Sequence, residues 1–297
     1  MPVPARRPAE LRGQVFRGSE MVARGTLTRA ELRSSAWRPL FRDVFADSRL
    51  TISHPVRCAA ASRWVLPPTA AIAGRSAAAL FGADEVPADE PIDVLLPTAQ
   101  RFGQVAGFVT HNAILTEQDV CLRGGLRVTT LRRTSWDLAQ WLRAEDAVAV
   151  VDRLLGRGLV TTHELRELAH ARSGERGWRR MLEVARLVDG GAESPQESRL
   201  RVRLVLAGLP APMTQFVVER DGRFLARVDL AWPHWRIAIE YDGLWHHDPE
   251  QFHRDRERLN RLLGADWLVL HLTARRFRHD FPAFLDEVRH AIHTRSH

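Results

Sequence analysis

Thirty residues near the C-terminal end constrain the fold more than any other part of the chain. Residues 213–220, 223–231 and 235–241 read as three strands, and in 227–230 and 236–242 apolar side chains alternate with polar or small ones. That period of two is the mark of strands. Asp221-Gly222 supplies the residue types of a tight hairpin turn, and Trp232-Pro233-His234-Trp235 supplies a second reversal. Ahead of them, Ser194-Pro195-Gln196-Glu197 reads as a helix start with a capping serine, a first-turn proline and a glutamate three residues on; Gly208-Leu209-Pro210 stops that helix. Behind them come a helix over 249–263, capped by Asp248 and closed by Gly264, a strand over 266–272 and a helix from about 282 to 292. The order αβββαβα predicts an α/β fold, a mixed sheet with helices packed against it.

Strand parity then places the acidic residues. In Arg236-Ile-Ala-Ile-Glu-Tyr-Asp242, Ile237, Ile239 and Tyr241 fall on one face and Ala238, Glu240 and Asp242 on the other. If Trp232 pairs with Trp235, Asp229 sits opposite Ala238 with Glu240 as its diagonal neighbour. Three carboxylates on one face repel one another unless a cation or protons compensate. Mg²⁺ or Mn²⁺, which takes hard oxygen ligands and keeps positions open for a phosphate, is the natural compensation. The alternative is a solvent-facing polar stripe on an amphipathic hairpin.

Upstream the pattern is less sharp. Residues 1–54 read as short helices, with Thr28 and Glu31 at capping-box spacing, followed by an extended segment from Trp37. This suits a winged-helix-like DNA-binding region or a plain structural one. Residues 55–190 form a mixed, mainly helical middle domain. In it we expect an alanine-rich helix over 70–81, short strands at 91–97, 107–111 and 125–130, and four helices between 134 and 188. Asp189-Gly190-Gly191-Ala192 is the expected linker to a third domain, 191–297.

Composition sharpens what the site can be. All 43 basic side chains are arginine, so no catalytic lysine exists anywhere in the chain. Residues 1–190 hold 27 arginines against 21 acids, and the remainder 16 against 15, so the positive excess lies upstream of the acidic cluster. That suits phosphate backbones, though a general arginine bias would produce it too. Cys58 and Cys121 lack metal-ligand spacing. With neither a signal peptide nor an 18-residue apolar run, the expectation is a cytoplasmic protein that does not enter membranes.

Glu197 in the first helix, Val228-Asp229, and Glu240-Tyr-Asp242 together resemble the PD-(D/E)XK nucleases, whose restriction-endonuclease-like core is also αβββαβα. The run through Trp245-His246-His247, with Phe252-His-Arg-Asp255-Arg-Glu-Arg258 and Gly264-Ala-Asp-Trp-Leu-Val-Leu, is similar to the very-short-patch-repair-like group, about a hundred residues in all. The resemblance implies Asp229 and Glu240 as metal ligands with the Tyr241 carbonyl as a third, and Glu197 orienting a water. The usual lysine, two residues after the second acid, is Asp242 here. Relatives in that group use a histidine-containing arrangement, which assigns proton transfer to Asp242 and His246. Arg254 and Arg258 become candidate phosphate contacts, or an ordinary solvated helix face. Gly25 to Leu32, the segment from Trp37 and Ile72 to Gly82 resemble AbiEi-type antitoxins, which implies an N-terminal winged helix.

The expected function is therefore a Mg²⁺-dependent DNA endonuclease. Its rival is a non-catalytic DNA-binding regulator of antitoxin type with an inactive nuclease fold and a cognate toxin as partner. A third reading is a structural interaction protein using the Trp-rich C-terminal half. A homodimer is compatible with each.

Overall fold

The computed structural model describes residues 5–242 and 249–296, with the backbone alone for 249–255. The chain divides into two compact units, Met1–Trp141 and Leu142–His297. The fold class is α/β with mixed sheets, as the sequence predicts.

The first unit opens with β1 (Val15–Arg17), α1 (Gly18–Ala23), β2 (Trp37–Phe41) and β3 (Val44–Asp47), whose antiparallel sheet has the order β1-β3-β2. Leu11, Phe16, Met21, Leu27 and Trp37 form its core. The capping box is complete: Thr28 N–H and Oγ1 donate to Glu31 at 2.7 and 2.9 Å, and Glu31 N–H donates to Thr28 Oγ1 at 3.1 Å. It starts only a 3-10 turn, Glu31–Arg33, because the Ser34 hydroxyl takes the Glu31 carbonyl at 2.7 Å and the backbone leaves the helical path. The extended segment is a hairpin, reversed at Asp43 with φ 62°.

Next come α2 (His54–Trp64), β4 (Ala71–Ile72), α3 (Gly74–Leu80), β5 (Ile92–Pro97), β6 (Phe108–Ala113), β7 (Val120–Arg123), β8 (Leu126–Thr129) and α4 (Leu131–Trp141). The strands form one mixed sheet, β6-β5-β4-β8-β7. This corrects one expectation: Ala71-Ile72, read as the start of a helix, is the middle strand of the sheet. Its fully buried position between β5 and β8 overrides the helix preference of alanine. Gly74 turns strand into helix at φ 51°, where an added Cβ would stand 2.7 Å from Asp93 Oδ2.

In the second unit α5 (Ala144–Gly156), α6 (Thr162–Ala171) and α7 (Trp178–Leu187) precede α8 (Pro195–Leu206), β9 (Met213–Arg220), β10 (Arg223–Trp232), β11 (Ile237–Asp242), α9 (Pro249–Gly264), β12 (Leu268–Thr273), α10 (Ala274–His279) and α11 (Phe281–Arg295). The expected boundary at 190/191 is thus misplaced, and the helices between 144 and 187 belong with the C-terminal sheet. The two glycines serve close packing, not a linker: a Cβ on Gly190 would stand 2.9 Å from the Gly156 nitrogen. Asp189 N–H donates to Asp152 at 2.7 Å, and Thr214 donates to the Asp189 carboxylate at 3.1 Å. Arg201 of α8, 4% exposed, pairs with Asp152 of α5 at 2.9 Å and donates to the Leu187 carbonyl at 2.6 Å.

The sheet order is β12-β11-β10-β9, antiparallel apart from the parallel β11–β12 pair. Leu200 and Leu204 of α8 with Phe284 and Val288 of α11 cover Leu230, Ile237, Ile239 and Leu272 on one face. Leu262 of α9 and Trp267 cover Val218, Ala226, Val228, Ala231 and Ala238 on the other. The αβββαβα order is present, with α10 inserted before the last helix. Among the described residues, no helix is long and apolar enough to cross a membrane.

Candidate active site

The register of the second hairpin sets the site. Trp232 pairs with Ile237, not Trp235, because Pro233–Trp235 forms a 3-10 turn and Arg236 closes the reversal at φ 51°. The pairing therefore slips by two residues from the one expected. The ladder ends with Leu230 opposite Ile239, one residue before both Asp229 and Glu240. Continued by one residue, that register would set Asp229 opposite Glu240, not diagonal to it.

Alternation along β10 also breaks at Asp229. Ala226 and Val228 lie on the α9 face, whereas Leu230 and Trp232 lie on the α8 face. The facing strand breaks at the same level, where Gln215 takes φ 46° between the pairs Val228↔Phe216 and Leu230↔Thr214. A bulge between Phe224 and Ala226 adds one residue to β10 and brings Gln215 to this level. An unbulged Asp-Gly hairpin would have set Gln215 against Val228.

The paired irregularity turns the Asp229 carboxylate along the sheet. Tyr241 N–H donates to Asp229 Oδ2 at 2.8 Å, replacing a ladder bond. In an extended strand the N–H and C=O of one residue share an edge, so the Tyr241 carbonyl also looks toward β10. The Tyr241 ring packs edge-on against Phe277 on the α8 face, so only its backbone serves the site.

Glu197, one turn into α8, completes the cluster. Its carboxylate accepts from Glu193 N–H at 3.0 Å and from Gln215 Nε2 at 2.8 Å; the same amide reaches Asp229 Oδ1 at 3.5 Å. Burial pushes the Asp229 carboxyl up to about 6. The Tyr241 N–H opposes that shift, and the charges of Glu197 and Glu240 add to it. Glu197 and Glu240 are each 7% exposed. Two buried carboxylates and a half-buried one thus share one corner of the sheet, an arrangement that a cation would relieve.

Glu240 has a protein cation on it. Arg258 of α9 forks onto both its oxygens, with Nη1 to Oε1 at 2.8 Å and Nη2 to Oε2. Arg258, expected on the surface as a phosphate contact, is thus drawn into the site. Asp242 does not join the other acids. Its carboxylate bonds His271 Nδ1 of β12 at 3.2 Å, and that bond raises the His271 pKa against the effect of burial. His246 lies outside the described residues, as does the Arg254 side chain.

Gln215, His271 and the pairing of Arg258 escape sequence reading. A glutamine in a strand and a histidine in an apolar strand carry no spacing signal. Only the bulge, the parallel β11–β12 register that sets His271 beside Glu240, and the packing of α9 assemble them.

The donors available to a divalent ion are the carboxylates of Asp229 and Glu240 and the Tyr241 carbonyl, all hard oxygens of the kind Mg²⁺ and Mn²⁺ take. They fit such an ion in chemistry. As they stand, no three His, Cys, Asp or Glu side chains among the described residues are placed to hold one. Arg258 is forked onto Glu240, and a cation taking that carboxylate would have to displace it.

No family model matches the chain. It is similar to proteins of Mycobacterium tuberculosis named as uncharacterized, Rv2248 in strain H37Rv and MT2308 in strain CDC 1551. Each is 29% identical over 197 residues, 66% of this chain and 71% of the relative. The crystal structure of the Rv2827c protein from the same species covers 72% of this chain and 86% of its own, with a TM-score of 0.44 and 16% identity. That likeness is too loose to carry an argument about site or function.

Proposed function

We propose that the second unit is a metal-dependent DNA endonuclease domain and that residues 1–54 supply additional DNA contact. The observation that carries this reading is the convergence of Glu197, Asp229 and Glu240. Asp229 is pinned by a backbone N–H and pushed up to about 6 by burial and its two acidic neighbours. Such a corner costs stability in the absence of a cation, which favours a binding role over surface decoration.

Asp229, Glu240 and the Tyr241 carbonyl would hold the ion. Bound Mg²⁺ or Mn²⁺ supplies an acidified water and neutralises charge on a scissile phosphodiester. Glu197, bridged to Asp229 by the Gln215 amide, would orient an attacking water there. Asp242 holds His271 through Nδ1 and leaves Nε2 to serve the leaving oxygen, a role for which His246, outside the described residues, is the expected partner of Asp242. If a metal displaced it from Glu240, Arg258 would be free to contact phosphate, a cation on α9 in the role that the resemblance gives to a strand lysine. The β2–β3 hairpin exposes Arg38 and Arg42 beside α1, which supports phosphate contact there.

The test is incubation of the full chain with duplex, single-stranded and mismatched DNA in Mg²⁺ or Mn²⁺. Cleavage abolished by Asp229→Ala and by Glu240→Ala is expected. Cleavage that survives either substitution overturns the site.

One observation favours a second reading, a DNA-binding regulator whose chemistry has lapsed: Arg258 already satisfies both oxygens of Glu240. That protein would bind duplex in a salt-sensitive way and cut nothing.

A further inference from the structure

Gln215 is the residue of the site whose backbone makes least sense without a function. Five non-glycine residues of the described chain have positive φ: Asp43, Gln215, Asp221, Arg236 and Asp266. Asp43 and Asp221 sit in hairpin turns, Arg236 ends a 3-10 turn, and Asp266 lies between α9 and β12. Gln215 alone among these five lies inside a strand, at φ 46°. Glutamine lacks the short side chain by which aspartate and asparagine ease this conformation, and glycine would adopt it without strain. Strain of this kind persists where the side chain is needed.

What the side chain does is on view. Its Nε2 donates to Glu197 Oε2 at 2.8 Å and reaches Asp229 Oδ1 at 3.5 Å, bridging an acid on a helix to an acid on a strand. With Tyr241 N–H on the other Asp229 oxygen, the amide fixes the rotation of that carboxylate. No other side chain bonded to Asp229 does so among the contacts described above.

We infer that Gln215 is a positioning residue, kept in a strained strand conformation to hold Glu197 and Asp229 in register for a divalent cation. The inference rests on the nuclease reading and adds to it a residue that touches neither ion nor substrate. Partners in this position typically change metal affinity by about 10–100-fold when removed.

The experiment compares the full-length wild type, Gln215→Gly and Gln215→Asn by Mn²⁺ titration calorimetry, with thermal melts in EDTA. Gln215→Gly is expected to melt at or above the wild-type temperature, since glycine relieves the strain, and to bind Mn²⁺ about tenfold or more weakly. Gln215→Asn tolerates the backbone but falls one methylene short, and is expected to bind as weakly. Wild-type affinity in Gln215→Gly overturns the inference and leaves the nuclease reading standing. A lower melting temperature in EDTA also overturns it, because the glutamine would then be a packing residue. Absence of Mn²⁺ binding by the wild type overturns the nuclease reading and this inference with it.

Discussion

Asp229→Asn should make the protein more stable at neutral pH while removing a ligand of the proposed metal site. Burial and the charges of Glu197 and Glu240 raise the Asp229 pKa from 3.8 to about 6. At 1.36 kcal/mol per unit that is a ceiling of about 3 kcal/mol. Asp229 is partly open to solvent, which brings the expected effect to about 1–3 kcal/mol. Between roughly pH 4 and 6 the folded chain holds a proton here that the unfolded chain has released, so folding stability falls as pH rises through that window. Above it, the ionised carboxylate is a full burden on the fold. Asparagine removes the charge and keeps an oxygen for Tyr241 N–H. Urea unfolding in EDTA should therefore show the variant ahead of wild type by about 1–3 kcal/mol at pH 7.5, with the gap closing by pH 4.5. Asp93 and Asp152, also raised to about 6, are common to both proteins and cancel in the difference. Excess Mn²⁺ should close or reverse the gap: at a hundred times its dissociation constant it adds about 2.7 kcal/mol to wild type alone. A variant that is less stable than wild type at pH 7.5, or a gap that does not change with pH, refutes the reasoning.

Arg258→Gln should cost about 1–2 kcal/mol in EDTA by leaving Glu240 unpaired in a mostly buried place, and should raise Mn²⁺ affinity several-fold because the competing cation is gone; calorimetry and melts in one buffer read both. Arg201→Met should cost about 3–5 kcal/mol in urea unfolding by stranding Asp152, 1% exposed, without its partner. Asp242→Asn should lower the His271 pKa toward its ordinary 6.5, read by proton NMR of the imidazole. In wild type the His271–Asp242 bond adds stability that is present below pH 6.5 and lost as pH rises through the higher folded pKa, and the variant should lack that dependence.

The C-terminal fold was legible because its signals are local. Ser194 and Pro195 set a helix start, Asp221 and Gly222 take the two positive φ values of a hairpin turn, and parity put Ile237 and Ile239 on one face and Ala238 on the other. What escaped depends on tertiary packing. The two-residue slip between β10 and β11 comes from a 3-10 turn that Trp-Pro-His-Trp does not announce. The reversal of facing at Asp229 needs irregularities in two strands at once. Ala71-Ile72 reads as helix because alanine says so, and becomes a strand because β5 and β8 flank it. The glycines 190 and 191 read as a linker because sequence cannot distinguish freedom from close approach. At the site, Asp229 and Glu240 were visible through spacing, whereas Gln215, His271 and the fork of Arg258 arise only when four elements meet.

On the proposed reading, Asp229, Glu240 and the Tyr241 carbonyl form a cation site, with Glu197 beside it, from which an ion would displace Arg258. The measurement that bears on it most directly is anomalous diffraction from a crystal of the full chain soaked in Mn²⁺. The account predicts a peak within ligand distance of the Asp229 and Glu240 carboxylates and the Tyr241 carbonyl, with the Arg258 guanidinium moved off Glu240. A manganese ion bound elsewhere, or none bound while Arg258 remains forked onto Glu240, would contradict it.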